Sequence, residues 1–300
     1  MRLGTRRSAL ALAQAELVAG MLGDCEIVPI VTSGDHGGHD GDKSRWVAEL
    51  EQALAAREID IAVHSAKDVP GELAPGLALL GTPPRAAIED VLCGSSALEQ
   101  LAPGARVGTS SVRRMAQLRA AREDLDVVAL RGNVDTRLGR LAEPDRELAA
   151  IVLARAGLQR LGRESELGCV LDPARFVPAP GQGAIALEGR AGERAVSEAA
   201  SAISDETDFA RLRAERALAG ALQASCHTPL GAAAVAVGAS GLVLRAWVGL
   251  PDGSAWACDE LAGEISAPEE LGDRLATRLR AAGAGEMLSR AEEMAGVGGA

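Results

Sequence analysis

Through the first two-thirds of the chain, short apolar runs alternate with longer stretches whose apolar residues recur at helical spacing. The runs at residues 27–31, 59–63, around 107, at 127–130 and at 150–153 predict strands, and residues 8–22, 45–57, 111–122 and 134–142 predict the helices between them. That alternation is the signature of βα units on a mixed, mostly parallel sheet, an α/β class. Turn chemistry at Pro75-Gly76 and Pro103-Gly104 brackets residues 85–90, where the chain is expected to cross into a second domain. The proline- and glycine-rich stretch 177–183 predicts a second crossing, so the chain leaves one domain and later returns to it. From Asp205 the pattern becomes one long amphipathic helix carrying Phe209, Leu212 and Leu218, two strands (233–237 and 242–248), and a helix over 271–280. Domain 1 is therefore expected over 1–88 and 182–202, domain 2 over 89–178, and a smaller α+β domain 3 over 204–300.

Composition narrows the functional classes. Hydrophobic residues make up 47% of the chain but aromatics only 2%, with no tyrosine, so the cores must be aliphatic and stacking on aromatic rings is not the expected binding mode. A formal net charge of -11 argues against a nucleic-acid partner, which would be met by a basic face. The alanine-rich N-terminal stretch is broken by Gln14 and Glu16, unlike a secretory leader, and a cytoplasmic protein without membrane attachment is expected. Five scattered cysteines with no Cys-x-x-Cys pair suggest neither a disulfide framework nor a zinc site, and most are expected to be small buried hydrophobes.

Candidate chemistry gathers at predicted strand ends, where open α/β sheets bind ligands. The apolar run ending at Val63 empties into His64, Ser65, Lys67 and Asp68 ahead of Val69-Pro70. Of 31 basic residues only Lys43 and Lys67 are lysines, compact ammonium groups whose pKa shifts readily, in a chain otherwise given to arginine. Asp68 reads either as a catalytic carboxylate held by the following proline or as a turn residue bonding its own backbone, and His64 reads as a packed residue before a base. Thr109 and Ser111 precede Arg113 and Arg114 at one predicted helix start, and Arg131 and Arg137 flank the next. Arg6 and Ser8 follow the first strand, and Arg160 is a looser candidate. Such hydroxyl and guanidinium groups at helix N-termini select a ligand bearing several carboxylates.

Residues 32–43, rich in glycine and aspartate and ending at Lys43, predict a mobile loop over the cleft, with His36 and His39 read as turn company and no metal expected. Cys226, beside His227 on a loop stiffened by Pro229, reads either as a nucleophile or as a buried thiol.

Seven segments, in order, resemble the porphobilinogen deaminase family: residues 5–8, 62–70, 108–114, 130–137, 153–158, 180–184, and 214–217 followed by Cys226. The resemblance implies two periplasmic-binding-protein-like domains of type II with the active cleft between them, and a third domain carrying the cysteine. It implies a transferase that joins four porphobilinogen molecules head to tail, with loss of ammonia, onto a dipyrromethane cofactor, one per chain, held through a thioether at the residue matching Cys226. It implies Asp68 as the catalytic carboxylate, Arg6, Arg113, Arg114, Arg131, Arg137 and Arg160 as partners of the pyrrole acetates and propionates, and Ser8, Lys43, Lys67, Thr109, Ser111 and Gln182 as supporting contacts. It further implies a monomer that passes hydroxymethylbilane to uroporphyrinogen-III synthase. The chain departs from the family pattern at Ser44-Arg45-Trp46 and at Ala224-Ser225 beside the cysteine. Two other readings share these residues: a solute-binding module with an arginine-lined cleft and no chemistry, and a hydrolase using Cys226 with a histidine.

Overall fold

The computed structural model describes residues 1–32, 47–143, 148–224 and 228–297. Its first sheet contains β1 (Arg2–Arg6), β2 (Glu26–Ile30), β3 (Ile61–Ser65), β4 (Leu77–Gly81) and the returning β10 (Ile185–Arg190), in the order β2-β1-β3-β10-β4. The second contains β5 (Asp90–Cys93), β6 (Arg106–Gly108), β7 (Asp126–Val128), β8 (Ala150–Ala154) and β9 (Cys169–Val170), in the order β7-β6-β8-β5-β9. The two share one plan: β1 runs parallel to β2 and β3 as β6 does to β7 and β8, while β10 lies antiparallel against β3 and β5 antiparallel against β8. The inserted antiparallel strand is in each case the one that follows a crossing between lobes. This is the mixed α/β, type II binding-protein plan expected above.

Helices α1 (Ala9–Leu22), α2 (Ala48–Ala55) and α6 (Arg194–Ala202) belong to the first lobe, and α3 (Val112–Ala121), α4 (Val134–Ala142) and α5 (Arg155–Arg160) to the second. Three of them start where a side chain caps the first turn: Ser8 accepts from the Ala11 amide, Ser111 from Arg114 and Asn133 from Thr136. Each cap sits just past the C-terminal end of a strand, so the remaining free amides of those first turns face the space between the lobes. The cores are aliphatic, with Leu3, Ile61, Val63 and Leu187 inside one lobe and Leu92, Val107, Leu118 and Val152 inside the other. Each such side chain contributes roughly 1.5–3 kcal/mol by leaving water.

A third, antiparallel sheet of β11 (Leu230–Val237), β12 (Gly241–Gly249) and β13 (Trp256–Glu264) packs on α7 (Glu206–Ala221), α8 (Pro268–Ala281) and α9 (Ala284–Val297). Part of its other face meets the second lobe through Ala116, Val177, Ala233 and Trp247. Glu215 on α7, fully buried, fastens this unit to both crossings: it takes the Arg85 guanidinium two-pronged at 2.7 and 2.9 Å and the Gly181 amide at 2.7 Å. With the Ala234 amide at 2.8 Å as well, its lone pairs are satisfied, the condition under which a buried ion pair holds.

The cysteine expectation needs correction. Among the described cysteines only Cys93 is buried; Cys25 and Cys169 are half-buried, and Cys258 is exposed on β13, whose outward residues alternate along an edge strand. No helix among the described residues is long and apolar enough to cross a membrane.

Candidate active site

The first lobe supplies one wall of the cleft. At the end of β3 the chain tightens into a single 3-10 turn, Ala66–Asp68, closed by the Val69 amide on the Ala66 carbonyl at 3.2 Å. Asp68 lines a pocket with Arg6, Ser8, Gln14, His64 and Ser65. The turn is pressed from behind by the second crossing: the Ala66 amide donates to Ala184 O at 3.0 Å, and a side chain at Gly181, whose φ is +74°, would stand 2.9 Å from the Ala66 carbonyl carbon and the Lys67 nitrogen. Only glycine tolerates both that conformation and that approach.

The second lobe supplies the facing wall. Leu10 of α1 and Val134 of α4 both come within 3.9 Å of where a Gly157 Cβ would lie on α5, so the lobes meet at the helix N-termini. Arg137 donates from Nε to Gly132 O at 2.7 Å, which folds its side chain back over the capped turn, and Arg131 stands exposed before that turn. Thr109 is buried and its hydroxyl accepts from the Ser111 amide at 3.2 Å, so both hydroxyls shape the start of α3. Arg160 reaches across to the returning segment, donating to Gly183 O at 2.7 Å.

Arg113 and Arg114 are only 4% and 7% exposed, and both grip Asp90. Arg113 Nη1 donates to Asp90 Oδ2 at 2.7 Å and to Val177 O at 2.9 Å, and Arg114 Nη1 donates to Val152 O at 3.1 Å. Gln182, 1% exposed, donates to Ile88 O at 2.6 Å and Asp90 Oδ1 at 2.9 Å. The structure therefore gathers Arg113, Arg114 and Gln182 at the crossings, where they already hold an internal carboxylate.

Electrostatics join the two walls. Burial pushes the Lys67 ammonium down to about 8, with Asp68 and Asp90 pulling it up and Arg114 and Arg113 pulling it down. Burial lowers Arg137 as well, with Arg114 adding to the depression and Asp68 offsetting it, so Asp68 acts on a guanidinium of the opposite lobe. Burial alone lowers Arg160 to about 10, still cationic at neutral pH. A chain of net negative charge has thus concentrated cations in one cleft, where an anionic ligand relieves their mutual repulsion.

His64 packs inside the sheet, 5% exposed, its Nε2 2.9 Å from Glu188 Oε2 but outside hydrogen-bond alignment. Lys43 and Cys226 lie outside the described residues, as do residues 33–42 of the predicted loop. Gln14 was not singled out by sequence. It is 1% exposed on α1, its Oε1 accepts from Ser65 Oγ at 3.0 Å, and its Nε2 has no hydrogen-bond partner among the described residues. The signal for it was a polar residue on a helix face that otherwise buries Ala11, Ala15 and Val18.

Comparison with known proteins identifies the family of the chain. The family described as "Porphobilinogen deaminase, dipyromethane cofactor binding domain" matches residues 1–198, and "Porphobilinogen deaminase, C-terminal domain" matches residues 209–281. Similar proteins include the porphobilinogen deaminases of Thermus thermophilus, 44% identical over 96% of this chain and 97% of that protein, and of Deinococcus radiodurans, 42% identical over 97% and 98%. Among solved structures the methionine binding protein MetQ is similar at a TM-score of 0.43 and 14% identity, covering 68% of this chain and 89% of that one, a likeness too distant to carry any argument. By its sequence matches over nearly its whole length, the chain belongs to the porphobilinogen deaminase family.

Proposed function

We propose that this chain is a hydroxymethylbilane-forming transferase in which Asp68 is the catalytic carboxylate and Cys226 the attachment point of the family's dipyrromethane cofactor. The observation that carries the reading is that Asp68 lines a pocket on one wall of the cleft and bears electrostatically on Arg137 of the facing wall. Porphobilinogen bears an acetate and a propionate, and the groups here suit them: Arg6 and the Gln14 amide, without a hydrogen-bond partner among the described residues, line the Asp68 pocket, and Lys67, Arg131, Arg137 and the first-turn amides of the capped helices add further donors. Dipyrromethane, when bound, supplies the free pyrrole α carbon from which the chain is extended.

The aminomethyl carbon of an incoming porphobilinogen would be joined there, its C–N bond broken and the displaced proton carried away with ammonia as ammonium. Positive charge develops at a pyrrole nitrogen as ammonia leaves, and a fixed carboxylate at Asp68 stabilises it without reorganisation. The same oxygen can accept the α proton on its way out. Arg113, Arg114 and Gln182 support the site through Asp90 at the crossings, Thr109, Ser111 and Ser8 by holding the helix starts, and Arg160 by bridging to the returning segment. Lys43 is counted among the supporting contacts, as the resemblance of the sequence implies. The chain is expected to act as a cytoplasmic monomer and to hand its linear product to uroporphyrinogen-III synthase.

Intact-mass measurement tests this reading. Purified protein should exceed its sequence mass by one dipyrromethane and react with Ehrlich reagent, while Cys226→Ala shows neither. Asp68→Asn should keep the fold and lose ammonia release from porphobilinogen by about 100-fold or more, the usual scale for a positioned acid–base or electrostatic group. An unmodified wild type that releases no ammonia would instead favour the solute-binding reading.

A further inference from the structure

We infer that Arg216, on the helix of the third domain, is a positioning residue that sets the Asp68 turn. Its guanidinium donates to three consecutive carbonyls immediately after that turn: Nη1 to Val69 O at 3.2 Å, and Nη2 to Pro70 O at 2.7 Å and Gly71 O at 3.0 Å. No backbone amide among the described residues donates to those three oxygens. Pro70 has no amide of its own, so it adds no backbone donor to brace this stretch. One planar fork supplies what the backbone lacks, and a lysine, whose three donors radiate from a single nitrogen, does not reproduce that planar, two-nitrogen geometry.

The opposite side of the turn rests on the returning segment at Gly181 and Ala184. That segment is itself fastened to Glu215, the neighbour of Arg216 on α7. Two adjacent side chains of one helix therefore fix both supports of the catalytic turn, Glu215 from behind through Gly181 and Arg216 from in front through residues 69–71. Burial lowers the Arg216 pKa and buried Glu188 on β10 offsets part of that; a guanidinium stays charged at neutral pH, so these hydrogen bonds are charge-assisted. In sequence α7 continues toward Cys226, so the element that holds the turn also leads to the proposed attachment point. The inference rests on the function proposed above for what the turn does, and on geometry alone for what holds it.

The test uses the full-length holoenzyme with Arg216→Gln and Arg216→Lys, and as a control Arg213→Gln, which on the same helix removes the exposed ion pair to Glu269 of α8 and the stacking of Arg213 on Phe209. Three quantities are read: intact mass, amide hydrogen exchange across residues 66–72, and kcat and KM for ammonia release. Arg216→Gln is expected to keep the added mass and to exchange faster at 66–72 than the control, by about tenfold or more. Its kcat should fall by about tenfold or more while KM stays within about threefold, with Arg216→Lys intermediate. Unchanged exchange at 66–72, wild-type kcat, or a loss borne by KM alone would each overturn the inference. So would unfolding of both Arg216 variants with loss of the added mass, which would make the residue a general domain fastener. Exchange needs no turnover, so a wild type without primer or ammonia release sinks the proposed function while the exchange result still judges Arg216.

Discussion

Arg114 Nε donates to Asp90 Oδ1 at 2.9 Å, and its Nη2 lies 2.7 Å from the same oxygen, while the other Asp90 oxygen holds Arg113. Asp90 is fully buried where the first crossing enters β5, and the two guanidinium groups hold its carboxyl far below the usual carboxylate range against a burial effect that pushes the other way. Removing the carboxylate leaves two buried cations uncompensated. Asp90→Asn is expected to cost about 3–5 kcal/mol, read from urea unfolding at neutral pH. Because the folded pKa is depressed, Asp90 contributes stability above its unfolded pKa that is lost as pH falls below it. The gap between wild type and Asp90→Asn should therefore narrow below about pH 4, and a constant gap down to pH 3 would contradict this account.

Lys67 titrates near 8, so its positive charge fades just above neutrality. For the proposed carboxylate-bearing substrate, KM should rise as pH increases through about 8, with kcat less affected. Arginine keeps its charge throughout that range. Lys67→Arg is expected to flatten the alkaline rise in KM even where its bulkier fork lowers affinity overall, and steady-state kinetics between pH 6.5 and about 9.5 decide the matter.

Gly181 combines positive φ with close approach to the Asp68 turn. Gly181→Ala should cost roughly 1–2 kcal/mol from the left-handed backbone alone. The new methyl must also displace Ala66 and Lys67, so kcat should fall further than Tm would suggest. Gly192, with φ +79° and open space around it, provides the comparison: Gly192→Ala strains the backbone but leaves kcat alone.

Arg131 and Arg137 stand at different depths, one exposed before α4 and one partly buried over its first turn. If each meets a different pyrrole of the growing chain, Arg131→Leu and Arg137→Leu should accumulate intermediates of different length. Mass spectra of the covalent species report this directly, and an identical ladder from both variants would contradict it.

Much of this architecture was legible in the chain. Helices are predicted at 8–22, 111–122 and 134–142, and the structure caps them with Ser8, Ser111 and Asn133, because capping is a local competition between a side chain and the free amides three residues on. Two strands the pattern did not announce share a cause. β10 carries buried Glu188 within its run, and β5 opens on buried Asp90, so neither reads as apolar, and both owe their charged residue to partners distant in sequence. β13 alternates half-buried and exposed positions across Ala262 and Gly263, a pattern too weak to announce a strand without β12 beside it.

The sequence by itself determined which side chains stand at the strand ends, since strand, turn and capped helix follow from residues within a few positions of one another. Tertiary structure alone decided how those side chains are used. It committed Arg113 and Arg114 to Asp90, brought Asp68 under the influence of Arg137 from the other lobe, and set Arg216 against residues 69–71 from a distant helix. The physical reason is that a buried charge takes the partner the packing brings to it, and burial and proximity arise only when segments far apart in the chain are folded together.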